Sequence, residues 1–356
     1  MIPIVTFARW GNYTIAFKTL FEQLGVKVIS PEKTTSQTIT EGAKIAPEMY
    51  CFPLKVNLGN YLETIRKGAN TIFMATALSG SCRLRYYGIV QDKVLREAGY
   101  QPNFIIFDQN LKDIYFKLKK ISKASFWQIL KAAKFCLRKL RLVEKLEKKA
   151  QYIRPREIEK GAIDRLLNEA FLKLEKINKE KDFSNFQKEI FKKVSEIRID
   201  KDRDVPKVGL IGEIYTVCDP IVNFEVEKKL GQKGFEVHRE MDLTYHLKKK
   251  IFLWKDWIIQ KEINPYLRST VGGHGRDAIY EMLKYTKEGF DGIIHLLPAM
   301  CMPEVTVRPI LEKIHQESGI PFLSLSLDEQ VAEAGINTRL EAFVDVVENY
   351  YARKKA

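Results

Sequence analysis

Two stretches of this chain switch repeatedly between short apolar runs and amphipathic ones, and that alternation restricts the fold more than any other feature. In residues 1–110, Ile2–Phe7, Val26–Ser30, Thr71–Ala77 and Phe104–Phe107 read as strands. Between them, Asn12–Leu24, Pro53–Lys67 and Tyr86–Ala98 read as helices, with Pro53 in a first turn, where a missing N–H is tolerated. In residues 207–356 the strand signals are Val208–Ile211, Phe235–His238, Gly292–Leu297 and Phe322–Leu325. Helical patterns there cover Val222–Leu230, the region Asp242–Lys261, Asp277–Lys287, Pro303–Gln316 and Thr338–Tyr351. Strands separated by helices cannot pair as hairpins, so each stretch predicts a parallel sheet wrapped by helices.

Residues 111–206 carry almost no strand signal. Ile163, Leu166, Leu167, Ala170, Phe171 and Leu174 recur at three- and four-residue steps, the period of a helix. Arg154-Pro155-Arg156 interrupts the pattern, because proline cannot continue a helix, and the polar stretch Asp200–Pro206 closes it. The expected architecture is α/β: a Rossmann-like lobe over 1–110, a basic helical insert over 111–206 and a second Rossmann-like lobe over 207–356. The lobes echo one another. Lys67-Gly68-Ala69-Asn70-Thr71-Ile72-Phe73 precedes Cys82 much as Lys287-Glu288-Gly289-Phe290-Asp291-Gly292-Ile293-Ile294 precedes Cys301. We therefore expect two related lobes facing each other, with Cys82 and Cys301 directed into the cleft.

The net charge of +14 is concentrated. Between Leu111 and Arg203 there are 27 Lys/Arg and 14 Asp/Glu, a net of +13. Such a segment can serve an acidic partner, an anionic substrate or nucleic acid. Glutamates at helical spacing from lysines, as in Glu144 and Lys148, fit a solvated helical surface equally well. No apolar run reaches the roughly 20 residues needed to span a bilayer, and Met1–Val5 reads as a strand rather than a secretion signal. The expected location is cytoplasmic, where thiols stay reduced. Five cysteines, an odd number without compact spacing, give no disulfide framework.

Four of those cysteines, Cys51, Cys82, Cys218 and Cys301, fall in Gly/Pro-rich turns where a strand ends or a helix begins. In α/β folds such turns line the ligand crevice at the carboxyl ends of the strands. Exposed amides at a helix start favour thiolate, the metal-binding form. Cys136, inside the helical run Ala132–Leu142, reads instead as a small core hydrophobe. The turn Val271-Gly272-Gly273-His274-Gly275-Arg276-Asp277 leads into a helix; it lacks the Lys-Ser/Thr of a phosphate loop and serves either as an anion cradle or as a plain helix entry. His274 is a ligand, a proton donor or a turn residue. Arg83 and Arg85 flank Cys82 and can balance thiolate charge. No HExxH signature and no GxSxG serine is present.

At these turns the sequence resembles the CoA-activase-associated family, which is related to the iron–sulfur subunits of 2-hydroxyacyl-CoA dehydratases and to double-cubane cluster proteins. The likeness rests on Cys51-Phe52-Pro53-Leu54-Lys55-Val56, Gly80-Ser81-Cys82-Arg83-Leu84-Arg85-Tyr86-Tyr87-Gly88 and Gly212-Glu213-Ile214-Tyr215. It continues in Val271–Gly275, His295-Leu296-Leu297-Pro298, Cys301-Met302-Pro303-Glu304 and Asp328-Glu329-Gln330, and it is thin across the helical insert. The resemblance implies an iron–sulfur cluster, 4Fe–4S or a larger cubane-derived form, in the inter-lobe cleft. Its ligands would be Cys51, Cys82 and Cys301, with Cys218 a candidate fourth, and Arg83, His274 and Glu304 would lie around the cluster or substrate. It also implies an ATP-dependent activase of actin-like fold as electron donor, a small-molecule substrate, anaerobic chemistry and a homodimer or heterodimer. A non-catalytic cluster carrier or scaffold is the alternative reading. A nucleic-acid-binding protein is a weaker one, since the basic segment lacks the Gly/aromatic interleaving of an RNA-recognition module.

Overall fold

A computed structural model describes residues 2–76, 82–251 and 254–356. The chain divides into two compact units, Met1–Val143 with Phe171–Lys188, and Glu144–Ala170 with Glu189–Ala356. The first contains β1 (Ile4–Thr6), α1 (Thr14–Gln23), β2 (Lys27–Val28), α2 (Ser36–Ile45), α3 (Phe52–Arg66), β3 (Thr71–Thr76), α4 (Tyr87–Glu97), β4 (Asn103–Asp108) and α5 (Leu111–Ser122). Next come α6 (Phe126–Ile153), α7 (Ala162–Lys176) and α8 (Glu180–Glu196), and the division of the units falls inside these three helices. The second unit continues with β5 (Lys207–Gly212), α9 (Ile214–Cys218), α10 (Val226–Gln232), β6 (Glu236–His238), α11 (Leu243–Ile251) and α12 (Trp254–Ile263). It ends with α13 (Gly275–Lys287), β7 (Gly292–Pro298), α14 (Met302–Ser318), β8 (Phe322–Leu327) and α15 (Glu333–Lys355).

Each unit has a four-stranded sheet, in the order β2-β1-β3-β4 in one and β6-β5-β7-β8 in the other. Every pairing is parallel. The α/β expectation and the helical segment after residue 110 are therefore seen directly. The shared strand order carries the echo noted in the sequence, since β3 and β7 hold the same place in their sheets. Val5, Phe7, Phe21 and Phe73 centre one core, and Ile279, Met282, Ile293 and Leu311 centre the other. Buried apolar area of this kind is the main favourable term in folding.

Three local features differ from the sequence reading. Helix α2 lies in a stretch that the sequence reading leaves unassigned; a capping box between Thr35 and Thr38 starts it, and it lies against α3 at Gly42 and Gly59. The helix expected from Val222 starts only at Val226, because Phe224 and Glu225 adopt left-handed backbone angles, φ 57° and 54°. Glu144 and Lys148 do not pair: the Glu144 carboxylate accepts the Thr244 amide at 2.8 Å, while Lys148 pairs with Asp242 at 2.9 Å.

Charge divides more sharply than the sequence segment suggested. The first unit has 27 Lys/Arg and 12 Asp/Glu, a net of +15, which leaves the second with 32 and 33, a net of −1. Among the described residues no helix is long and apolar enough to cross a membrane.

Candidate functional site

In the first unit, Cys51 and Cys82 each cap a helical start. Cys51 precedes α3 in extended backbone geometry (φ −67°, ψ 149°), with Pro53 in the first turn. Cys82 precedes the 3-10 turn Arg83–Tyr86, and its Sγ accepts the Leu84 amide at 3.5 Å. The Thr76 hydroxyl, at the end of β3, donates to the carbonyls of Leu84 and Arg85 at 3.1 and 2.9 Å and so pins that turn to the sheet. Ala77 and the motif residues Ser79, Gly80 and Ser81 lie outside the described residues.

Two side chains tie the cysteine turns together. The Arg83 guanidinium donates to the Met49 carbonyl and lies 5.5 Å from the Tyr50 ring centroid, so it grips the segment that leads into Cys51. Tyr87, the first residue of α4, places its hydroxyl 2.6 Å from Cys51 Sγ. Arg83 is legible in the sequence as a charge beside Cys82, whereas nothing in a tyrosine five residues beyond Cys82 signals a thiol contact.

In the second unit, Cys301 caps α14 just after β7, again with extended backbone (φ −77°, ψ 103°) and proline in the first turn. Cys82 and Cys301 thus follow the equivalent strand of the two sheets. The same comparison pairs Cys51 with His274: one caps the helix before β3, the other the helix before β7. A side chain on Gly275 would meet the Pro303 carbonyl oxygen at 3.0 Å, so α13 and α14 start close together, and the missing Cβ permits it. His274 Nε2 lies 3.1 Å from His246 Nδ1.

Glu304 sits in the first turn of α14 but turns inward. It is fully buried and meets His295 Nε2 at 3.0 Å, and His295 Nδ1 lies 3.2 Å from the Ser324 hydroxyl. Burial, with Asp277, Glu240 and Glu304 nearby, pushes the Glu281 carboxyl well above the usual carboxylate range. Burial likewise raises Glu213, whose carboxylate caps α9 by accepting the Tyr215 and Thr216 amides at 3.0 and 2.9 Å. The His295–Glu304 contact is not legible in the sequence, because it joins the middle of β7 to the first turn of α14.

Cys218 differs from the other three. It is the last residue of α9, at the end of a helix rather than its start, and it is buried against Arg239 Nη1 at 3.3 Å. Burial raises its thiol far above the ordinary value, with Arg239 pulling the other way. Cys136 is buried in α6 and its thiol is pushed up to about 12, also by burial.

Within either unit, among the described residues, no three His, Cys, Asp or Glu side chains form a metal-ligand group. The first unit supplies two of the expected thiols and the second supplies the others. The donor chemistry fits an iron–sulfur group, because soft thiolates are its usual ligands. Neither Cys51 nor Cys301 caps its helix with a side-chain hydrogen bond.

Residues 7–242 match the family model described as CoA enzyme activase uncharacterised domain (DUF2229). Residues 275–347 match the one described as 2-hydroxyglutaryl-CoA dehydratase, D-component. The first match runs through the helical segment where the resemblance had looked thin. No curated protein matches the chain.

Proposed function

This chain belongs to the CoA enzyme activase (DUF2229) family, and on that premise we propose that it is an iron–sulfur protein of the 2-hydroxyacyl-CoA dehydratase type. It receives low-potential electrons from an ATP-dependent activase and uses them to reduce a small substrate or a partner protein. The observation that carries this reading is that Cys51, Cys82 and Cys301 all cap helix starts in extended geometry, two of them after equivalent strands.

In this reading Cys51, Cys82 and Cys301 hold the cluster, 4Fe–4S or a larger cubane-derived form. When bound, the group supplies one-electron transfer at low potential. The chain's own residues prepare the site. Helix-start amides favour thiolate over thiol at the cysteines, and Arg83 adds a positive charge beside Cys82. Tyr87 and the Arg83 grip on Met49 fix the two turns of the first unit relative to each other, as outer contacts commonly do for metal ligands. His274, 3.1 Å from His246 at the start of α13, would exchange a proton with a bound substrate.

The test is anaerobic mixing of the purified protein with its candidate activase and a reductant, with and without ATP, while cluster reduction is followed spectroscopically. ATP should accelerate reduction, since nucleotide hydrolysis drives an otherwise uphill transfer. Equal rates with and without ATP would remove the activase from the account.

A further inference from the structure

We propose that the α5–α6 tip of the first unit is a docking surface for a protein that presents carboxylates around an apolar recess. Phe116, Phe126, Trp127 and Leu130 are large apolar side chains, all about half or more exposed, with Trp127 at 74%. Tyr115 joins the aromatic ones: it contacts Phe116 and Phe126 edge-on at 5.3 and 5.6 Å, and Phe126 contacts Trp127 at 5.4 Å. The opposite sides of the same helices hold Leu118, Ile129 and Ala132 in the core, so the tip is rigidly mounted. Exposed Trp and Tyr clusters on a fixed scaffold are the usual energetic centres of protein interfaces.

Lysines flank the cluster along the chain, and Lys119 Nζ lies 5.9 Å from the Tyr115 ring centroid. From Gln109 to Val143 the only acidic residue is Asp113, against ten Lys/Arg. Asp113 is itself engaged, its carboxylate accepting the Asp108 amide at 2.7 Å. Arg138 pairs with Glu180 and Lys139 is buried, whereas Lys112, Lys119, Lys120, Lys123 and Lys131 take part in no ion pair among the described residues. An apolar centre flanked by such cations calls for the opposite arrangement on the partner. A second copy of this chain does not offer it, since one unit is strongly basic and the other near neutral. A membrane surface is also a poorer match. A helix lying on lipid shows an apolar stripe along its length, while here Leu118, Ile129 and Ala132 of the same two helices face the core.

On the reading proposed above, from which the partner's identity is taken, the acidic protein is the electron-donating activase. The experiment measures binding of the purified activase to the full chain and to two variants, Trp127→Ala with Leu130→Ser, and Lys119→Glu with Lys120→Glu and Lys131→Glu. Circular dichroism checks that both variants are folded, and phosphatidylserine vesicles form a parallel arm. The apolar variant should lose at least about tenfold in affinity. The charge-reversed variant should associate more slowly and lose the salt dependence seen with the unaltered chain. Variants that bind as tightly as the unaltered chain would overturn the surface and leave the electron-donor reading standing. An unaltered chain that does not bind activase at all would overturn both. Vesicle binding that depends on Trp127, with activase binding unchanged, would replace the protein partner by a lipid surface.

Discussion

Helix α3 carries Cys51 at its start, and what holds α3 in place is a backbone-to-backbone crossing with α2. A methyl group on Gly59 would lie 2.8 Å from the Thr38 carbonyl carbon and 3.1 Å from its Cγ2, with the carbonyl oxygen closer still. Carbon atoms pack at about 3.5–4.0 Å, so Gly59→Ala forces the helices apart by about 1 Å. The obstacle is main chain on a capped helix and cannot turn aside as a side chain could. The cost therefore sits at the upper end of the range for overpacking, about 3 kcal/mol. For a unit of this size that lowers the melting midpoint by about 6–12 °C. The control is Gly335→Ala in α15, where nothing lies within 4 Å and the helix gains from losing a glycine. Scanning calorimetry on both variants decides the matter. A Gly59→Ala transition within about 1 °C of the unaltered protein would show that the crossing is not close.

Two further outcomes follow from buried polar groups. Lys139 is fully buried, donates to Thr19 Oγ1 and the Leu174 carbonyl at 2.8 and 2.9 Å, and has its ammonium lowered to about 8 by burial. Because the folded value lies below the unfolded one, the unfolded chain binds more protons between about pH 8 and 10, and stability rises with pH there by up to about 3 kcal/mol. Urea titrations across that range should show the rise, and Lys139→Met should flatten it; a rise of equal size in the variant would contradict the assignment. Glu304 and His295 are both fully buried and 3.0 Å apart, so Glu304→Leu leaves His295 Nε2 without that partner and should cost about 1–3 kcal/mol. Joint replacement by Glu304→Leu and His295→Leu should recover much of that loss, and a double variant no more stable than the single would refute the pairing.

The sheets were legible in the sequence because strands buried between helices must be short and apolar, and those runs recur at the spacing of βαβ units. The place of Cys82 and Cys301 was legible for the same reason, since the glycine turn and buried strand before each are repeated. Helix α2 was not, because Ser36–Ile45 is polar and rich in β-branched residues, and its stability comes from the capping box and from contact with α3. Cys218 looked like the other turn cysteines because Asp219-Pro220 follows it, yet the Glu213 carboxylate nucleates a short helix that Cys218 ends. The pairing of Cys51 with His274 depends on topology and not on residue type, so only the strand order reveals it.

Three thiolates hold the proposed cluster, and the iron and sulfide content of the protein tests them most directly. Protein purified or reconstituted anaerobically should contain iron and acid-labile sulfide. Cys51→Ala, Cys82→Ala and Cys301→Ala should each lose most of both, because no neutral side chain replaces a thiolate ligand. Cys136→Ala should keep its full complement, since that thiol is protonated in the core of α6. Cys218→Ser should keep it as well, given a buried thiol held by Arg239 at the end of a helix. Loss of iron from the Cys136 variant with retention in the Cys82 and Cys301 variants would contradict the site outright.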